Sequence, residues 1–275
     1  MTLHPRPKAL FFDVFGTVVD WRTPITNALS TTIHTALSSP DPSHTIPASA
    51  HAAASALSPS SYTSLANQWR ASYYTFTSRF DPSAPDATFV SIDEHNLASL
   101  RTLLAEWGLA GVLSDAQVGE LSRAWRWLDP WPDAVRGLQR LNRAGYVTAT
   151  LSNGNVALLE DMARYAGLKW GRVLSAEMFG AYKPRREVYE GAMREVGVET
   201  GEEAVMVAAH LGDLKAAKGV GMRAVYVERE GEEQWSEEEV KKARREGWVD
   251  VWIGKEEEGF LTLADRLDVS GDEGG

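Results

Sequence analysis

Cysteine is absent from the sequence, and its absence excludes several kinds of chemistry. Disulfide bonds, zinc sites built from thiolates and cysteine nucleophiles all require a residue that the 275 positions do not contain. The sequence therefore gives no indication of an oxidising compartment.

Positive charge is also scarce. The 28 Lys and Arg residues stand against 38 Asp and Glu residues, which gives a formal net charge of −10. General nucleic-acid binders and proteins of anionic membranes rely on basic surfaces, so we expect neither kind of partner. No segment approaches the ~20 consecutive apolar residues that span a bilayer, and the first residues do not resemble a signal peptide. We therefore expect a cytoplasmic protein.

Apolar residues are plentiful, at 44% of the chain, and several of them cluster in short segments. Segments that are apolar throughout predict buried strands of a parallel sheet. They are Ala9–Phe12, residues 146–151, Ala204–Ala208 and Arg223–Val227.

Helical patterns alternate with these strands. They cover residues 133–144, 155–166, 185–196 and 214–220, and several end at a glycine, as helices often do. Alternation of this kind predicts an α/β fold, a Rossmann-like parallel sheet with right-handed crossovers. In such a sheet, the active site forms beyond the carboxyl ends of the strands.

More than a hundred residues separate the first strand from the second. Residues 21–128 are rich in helix formers and tryptophan, which predicts an inserted helical domain between two parts of the core, residues 1–20 and 129–265. Within this insert, residues 38–59 are rich in Ser, Ala, Pro and His and predict a flexible loop. The acidic, glycine-rich residues 266–275 predict a disordered tail.

Asp13 is the leading candidate for a catalytic residue. It follows the first predicted strand and precedes Phe15, Gly16 and Thr17, whose turn and hydroxyl suit an anionic group. A carboxylate at a strand end also serves as an ordinary cap, but it is rarely buried without a partner. We therefore favour the functional interpretation.

Two further motifs follow later strands. Ser152, Asn153 and Gly154 precede a helix, where exposed N–H groups and the helix dipole favour binding of an anion. A plain N-cap explains the same residues equally well.

Lys183 precedes a proline at the start of a helix, and it would keep Asp13 ionised if the two were paired. A lone lysine is more often a surface residue.

Other candidates carry weaker signals. Asp213 follows the third strand and suits either an N-cap or a catalytic carboxylate, and Tyr189 suits either the core or a pocket. No second histidine lies near His210 in the sequence, which favours a hydrogen bond from His210 within a pocket over metal ligation.

Arg70 lies in the insert. A single arginine in a helix is ordinarily solvated, but Arg70 would suit an anion if the insert covered the site. The acid-rich residues 228–239 predict a solvated surface.

The order of these motifs resembles that of the haloacid dehalogenase superfamily. The motifs are the Asp13–Thr17 segment, Ser152–Gly154, Lys183 with its proline, and Asp213, and the insert matches the helical cap of that superfamily. Phe15, Arg70 and Tyr189 make the chain similar to the type II (L-2-haloacid) branch.

The resemblance implies a mechanism and a set of roles. Asp13 would attack C2 of a 2-haloalkanoate, displace halide and form an ester, and water positioned by Asp213 would hydrolyse that ester. Thr17 and Lys183 would orient Asp13 and balance its charge. The remaining residues would bind the substrate. Ser152 and the backbone near Val14 and Phe15 would hold its carboxylate, and Arg70 and Asn153 would receive the halide. Tyr189 and His210 would line the pocket.

The resemblance also implies partners. We expect a small anionic carboxylate as substrate, halide as product, no metal or other cofactor, and a homodimer formed through the cap. Ala208, His210 and Gly212 stand where the type II branch carries serine, asparagine and tryptophan, so the substrate is the least defined part of the prediction.

Three alternatives remain open at this stage. The same nucleophile would suit another small carboxylate, such as ring opening of azetidine-2-carboxylate. A phosphatase of the superfamily would need magnesium and carboxylates where this chain has Phe15 and Ala209. A non-catalytic binding protein would have no need to keep Asp13, Thr17, Lys183 and Asp213 together.

Overall fold

A computed structural model describes residues 3–38 and 43–268, which fall into two compact units. One unit takes in the described residues up to Asp20 and those from Asp129 onward, and the other lies within Trp21–Leu128. In the part of the chain that the structure describes, no helix is long and apolar enough to span a membrane.

The first unit is built on a parallel sheet. The strands in chain order are β1 (Ala9–Phe12), β2 (Val19–Asp20), β3 (Asp129–Pro130), β4 (Val147–Thr150), β5 (Ala204–Ala208), β6 (Arg223–Val227) and β7 (Val251–Ile253). Five of them form a sheet in the order β4-β1-β5-β6-β7, and β2 pairs with β3. Phe12 lies opposite Thr150 on one side and Val207 on the other. The carboxyl ends of β4, β1 and β5 are therefore adjacent, which confirms the predicted α/β fold.

Helices make up most of the remaining described chain. They are α1 (Arg22–Ser38), α2 (Ala48–Ser55), α3 (Pro59–Arg79), α4 (Ile92–Glu106), α5 (Asp115–Ser122), α6 (Ala134–Arg143), α7 (Val156–Tyr165), α8 (Arg186–Glu195), α9 (Leu211–Gly219), α10 (Glu237–Glu246) and α11 (Gly259–Asp268). The four helices predicted between the strands are present as α6 to α9. The elements that the patterns missed include β7, which is only three residues long, and the very polar α10.

The second unit consists of helices α1 to α5, which bury a group of tryptophans. Trp69 lies edge-on to Trp125 with ring centroids 5.4 Å apart, and Trp21 stacks on Trp125 at 5.9 Å. These aromatic contacts explain why the tryptophan-rich segment folds as a compact helical unit.

Two predicted irregular segments contain helix. The expectation of a loop over residues 38–59 is wrong for Ala48–Ser55, which form α2, because a run rich in alanine has a high helix propensity. Residues 39–42 lie outside the described residues. The expected tail begins too early, since Arg266 belongs to α11, and residues 269–275 lie outside the described residues.

Helices α6 and α11 approach closely at Gly137. A Cβ atom at this position would lie 2.3 Å from the Cβ atom of Phe260 and 2.6 Å from its carbonyl carbon. Phe260 in turn packs edge-on against Phe12 of β1, with ring centroids 5.0 Å apart. The missing side chain therefore allows α11 to reach the strand that carries Asp13.

Gly137→Ala is expected to destabilise the protein by about 1–3 kcal/mol, because an added methyl group would force α6 and α11 apart. Gly119→Ala is the matched control, since a Cβ atom at this position of α5 meets nothing within 4 Å. It should raise stability by about 0.5–1 kcal/mol through helix propensity. Thermal or urea unfolding measures both variants, and equal shifts in the same direction would contradict the packing argument.

Candidate active site

Asp13 lies directly beyond the carboxyl end of β1. Its backbone N–H donates to the carbonyl oxygen of Val207 at 3.0 Å, so the residue continues the pairing between β1 and β5. The chain then turns sharply at Gly16, whose φ of +83° lies in the left-handed region that favours glycine. The turn keeps Asp13 at the sheet edge and directs the chain away from it.

The hydroxyl of Thr17 connects this turn to the neighbouring strand. It donates to Asp13 Oδ2 at 2.8 Å and accepts a hydrogen bond from the backbone N–H of Ala209 at 2.9 Å. Thr17 is fully buried. One hydroxyl therefore orients the Asp13 carboxylate and holds the end of β5 beside it.

Lys183 lies between two carboxylates. Its Nζ atom is 2.8 Å from Asp13 Oδ1 and 2.6 Å from Asp213 Oδ2, and all three side chains are about nine-tenths buried. The side chain of Asn153 holds this lysine from behind, because its Oδ1 accepts from the Lys183 N–H at 2.7 Å and its Nδ2 donates to the Lys183 carbonyl at 3.3 Å. The predicted lysine is thus a buried and positioned cation.

The neighbouring charges at this site act on the pKa values of Asp13 and Lys183 in the direction opposite to burial. Burial acts to raise the pKa of Asp13, but the Lys183 ammonium and the His210 ring outweigh it and hold that pKa well below its ordinary value. Burial acts to lower the pKa of Lys183, yet Asp13 and Asp213 raise it above its ordinary value. Asp13 is therefore an ionised carboxylate paired with an ammonium group.

The pKa of Asp213 is shifted in the opposite direction to that of Asp13. Burial and the negative charge of Asp13 raise the pKa of Asp213 above its ordinary value, although Lys183 acts in the opposite direction. The Tyr189 hydroxyl donates to Asp213 Oδ1, and Lys183 donates to Oδ2. Tyr189, predicted for either the core or a pocket, is fully buried and contacts the site.

The turn after β4 lies beside this group. Ser152 is almost fully buried, and its Oγ accepts a hydrogen bond from the Gly154 N–H at 3.2 Å. A Cβ atom at Gly154 would lie 3.0 Å from the ring of Phe15, so glycine lets this aromatic side chain pack against the turn. Val14 and Phe15 are both buried.

The sequence interpretation missed Glu232. The acidic segment around it was expected to be solvated, but Glu232 is only 4% exposed, and its carboxylate occupies the space that a side chain at Gly16 would need. Its Oε2 lies 3.6 Å from His210 Nε2, while His210 Nδ1 lies 3.0 Å from Asp13 Oδ2. His210 therefore lies between the predicted nucleophile and a buried acid that no sequence motif marks.

Arg70 lies on α3 of the helical unit and is buried among aromatic rings. Its guanidinium carbon is 4.5 Å from the ring centroid of Tyr73 and 4.8 Å from that of Tyr74, with Trp21 and Trp125 at 5.7 and 6.0 Å. Cation–π contacts of this kind stabilise a buried charge. Arg70 is thus a positioned residue and not the solvated one that its helix pattern ordinarily indicates.

The side chains around Asp13 do not suit a magnesium ion, which phosphatases of the haloacid dehalogenase superfamily require. Magnesium needs several oxygen ligands in octahedral geometry. Lys183 already bridges Asp13 and Asp213, and Phe15 occupies the position of the second acid. Within residues 3–38 and 43–268, no group of three or more His, Cys, Asp or Glu side chains is arranged to hold a metal ion.

Comparisons with known proteins agree with the motifs. A family model described as haloacid dehalogenase-like hydrolase matches residues 7–221. The chain is 36% identical over 115 residues to (S)-2-haloacid dehalogenase 4A of Burkholderia cepacia, an overlap of 40% of this chain and 48% of that protein. The chain thus spans about half the length of the curated relatives that it matches.

Two solved structures are similar over nearly the whole chain. The L-2-haloacid dehalogenase PA0810 is 30% identical, with a TM-score of 0.73 and coverage of 94% of this chain and 99% of that chain. The defluorinating L-2-haloacid dehalogenase Rha0230 is 29% identical, with a TM-score of 0.74 and coverage of 95% of both chains. The similarity therefore extends over the sheet unit and the inserted helices.

Proposed function

The chain belongs to the haloacid dehalogenase-like hydrolase family, as its motifs predicted, and from this premise we propose that it hydrolyses the carbon–halogen bond of a small 2-haloalkanoic acid. The proposed nucleophile is Asp13, and the proposed intermediate is an ester between Asp13 and the substrate. The observation that carries the proposal is the Lys183 ammonium, which bridges two buried carboxylates at the carboxyl end of the sheet.

The first step is an attack by an Asp13 carboxylate oxygen on C2 of the substrate. A new O–C2 bond forms while the carbon–halogen bond breaks, and the halide leaves with the bonding electron pair. The low pKa of Asp13 keeps the nucleophile ionised, and Lys183 supplies charge balance without donating a proton. Because a halide needs no proton to leave, Phe15 suits this reaction where a phosphatase would need an acid.

The second step is hydrolysis of the ester at the Asp13 carboxyl carbon. Donors from Thr17 and His210 lie at Asp13 Oδ2, where they would stabilise the charge that develops on this oxygen when water attacks. We assign Asp213 the role of positioning that water. Cleavage of the bond between the carboxyl carbon and the substrate oxygen regenerates Asp13 and releases a 2-hydroxy acid.

The remaining roles complete the proposal. Ser152 and the backbone near Val14 and Phe15 would hold the substrate carboxylate. Arg70 is the proposed cation for the departing halide, since its aromatic surroundings keep a guanidinium group in place. Asn153 would support this site mainly through Lys183, to which both its amide atoms are hydrogen-bonded.

Oxygen labelling tests the proposed function. With enzyme in excess over 2-chloropropionate in ¹⁸O-water, a single turnover should give product whose new hydroxyl is unlabelled, because that oxygen comes from Asp13. The label should appear in the Asp13 carboxylate, as measured by mass spectrometry of the peptide that contains it. Direct attack of water on the substrate would label the product at once and would refute the proposal, as would phosphate release that depends on magnesium.

A further inference from the structure

We propose that Arg229 is a positioning residue, which orients the Thr17 hydroxyl and through it the Asp13 carboxylate. Arg229 follows β6 and belongs to the acidic segment that the sequence pattern assigned to a solvated surface. Its role rests on the proposed function, in which Asp13 is the nucleophile, and no sequence motif marks it.

The guanidinium group of Arg229 joins two segments that are distant from it in the chain. Its Nη1 and Nη2 atoms donate to Asp133 Oδ1 and Oδ2 at 2.7 and 2.8 Å, while its Nε donates to the carbonyl oxygen of Thr17 at 3.1 Å. The Arg229 and Asp133 side chains are both about nine-tenths buried. A planar guanidinium group held by a bidentate carboxylate has a fixed orientation, so its Nε–H is aimed at the Thr17 carbonyl.

Asp133 is also held by groups other than Arg229. Its Oδ2 accepts from the Phe260 N–H at 2.7 Å, and its backbone carbonyl accepts from the Gly137 N–H at 2.8 Å. Gly259 leaves room for the ion pair, because a Cβ atom at this position would lie 2.2 Å from Asp133 Oδ2 and 2.9 Å from Arg229 Nη1. The carboxylate is therefore a fixed anchor for the arginine.

A second donor holds the peptide group on the other side of Thr17. The indole Nε1 of Trp131 donates to the carbonyl oxygen of Gly16 at 3.0 Å, and the centroid of its ring lies 5.4 Å from the Arg229 guanidinium carbon. The Gly16 carbonyl belongs to the peptide plane before the Thr17 Cα atom, and the Thr17 carbonyl belongs to the plane after it. Because both planes are held, the direction of the Thr17 side chain is determined.

The turn needs this support because it contains a glycine. Gly16 has more backbone freedom than any other residue type would have at this position. The Thr17 hydroxyl must nevertheless meet two partners at once, Asp13 Oδ2 at 2.8 Å and the Ala209 N–H at 2.9 Å. A small rotation of the Thr17 backbone would break both contacts and change the orientation of the Asp13 carboxylate.

A double-mutant cycle separates this role from a purely structural one. Arg229→Lys keeps the positive charge but not the geometry of the guanidinium fork, so it should slow halide release from saturating 2-chloropropionate in a single turnover by about 10-fold to 10²-fold. In a Thr17→Val background, which lacks the hydroxyl, the same substitution should cause little further loss. Equal losses in the two backgrounds would overturn the proposal, because a purely structural role does not depend on the hydroxyl.

Arg223→Lys is the matched control. Arg223 lies at the start of β6, the end of the strand away from Asp13, and it is also buried. Its guanidinium group donates to the carbonyl oxygens of His4 and Pro5 at 2.8 and 2.7 Å. Arg223→Lys should lower thermal stability, as Arg229→Lys should, but it should leave halide release unchanged. Release of halide by Arg229→Lys at the rate of this control would refute the positioning role.

Trp131→Phe is a second variant, which decides the question if Arg229→Lys fails to fold. It removes the donor to the Gly16 carbonyl and keeps an aromatic ring at this position. The loss of rate that it causes should also disappear in the Thr17→Val background. A loss that persisted there would count against the proposal in the same way.

Hydrogen exchange of the Ala209 amide provides a readout that needs no substrate. This N–H donates to the Thr17 hydroxyl, so it should exchange faster in Arg229→Lys and in Trp131→Phe than in Arg223→Lys. Equal exchange in the three variants would overturn the proposal. Absence of halide release by the wild type would refute the proposed function instead, and the exchange rates would still decide whether Arg229 positions Thr17.

Discussion

Asp13→Asn is expected to lower halide release from 2-haloacids by at least about 10⁴-fold, the scale of loss seen when a covalent nucleophile or its activation is removed. An amide oxygen is a weak nucleophile, and the second carboxylate bound by Lys183, that of Asp213, is also held by Tyr189. The substitution keeps the shape of the side chain and its hydrogen bond from Thr17. The measurement is halide release with enzyme in excess, together with the mass of the intact protein.

Two controls accompany this variant. Asp86→Asn changes an exposed carboxylate of the helical unit and should leave halide release unchanged. Circular dichroism and thermal unfolding of Asp13→Asn should show a folded protein. If folded Asp13→Asn kept more than a tenth of the wild-type rate, the ester mechanism would be untenable.

Lys183→Met is expected to have the second largest effect, because it leaves two buried carboxylates without their cation. Removing one partner of a buried ion pair typically costs about 3–5 kcal/mol of stability. Activity at neutral pH should also fall steeply, since Asp13 and Asp213 would repel each other at short range. Urea unfolding and the rate of halide release measure these two losses.

The pH dependence of this variant follows from the loss of its cation. Lys183 lowers the pKa of Asp13, so its removal raises that pKa, and alkylation by Lys183→Met should disappear as the pH falls through the raised value. The wild-type alkylation rate should show no acid limb from Asp13 between about pH 5 and about pH 9. Lys255→Met, at an exposed position, should reproduce the wild-type profile. An acid limb at the same pH in Lys183→Met and wild type would contradict the assigned role.

The same ion pair should make the stability of the wild type depend on pH. The lowered pKa of Asp13 contributes stability that is present above its unfolded pKa of about 3.9 and is lost as the pH falls. The raised pKa of Lys183 contributes stability that is present below its unfolded value of about 10.4 and is lost as the pH rises through the folded value. In Lys183→Met the contribution of Lys183 should be missing and that of Asp13 should be smaller, because only His210 still lowers the pKa of Asp13.

Much of the fold was predictable because it depends on local patterns. Apolar strands such as Ala204–Ala208 are buried on both faces and therefore carry a continuous signal. The positions of Asp13, of the turn after it and of Lys183 were predictable because each follows a strand or begins a helix. Alanine-rich α2 was missed because the Ser, Pro and His residues around it suggested a loop.

The sequence by itself determined the order of the strands along the chain, the position of Asp13 beyond the first of them, and the absence of a second acid at Phe15. The tertiary structure alone decided that one ammonium group bridges Asp13 and Asp213, and that Glu232 is buried behind His210. The reason is that burial of a single glutamate within an acidic segment has no periodic signature. It depends on the space above Gly16, which residues distant in the chain bring to the same place.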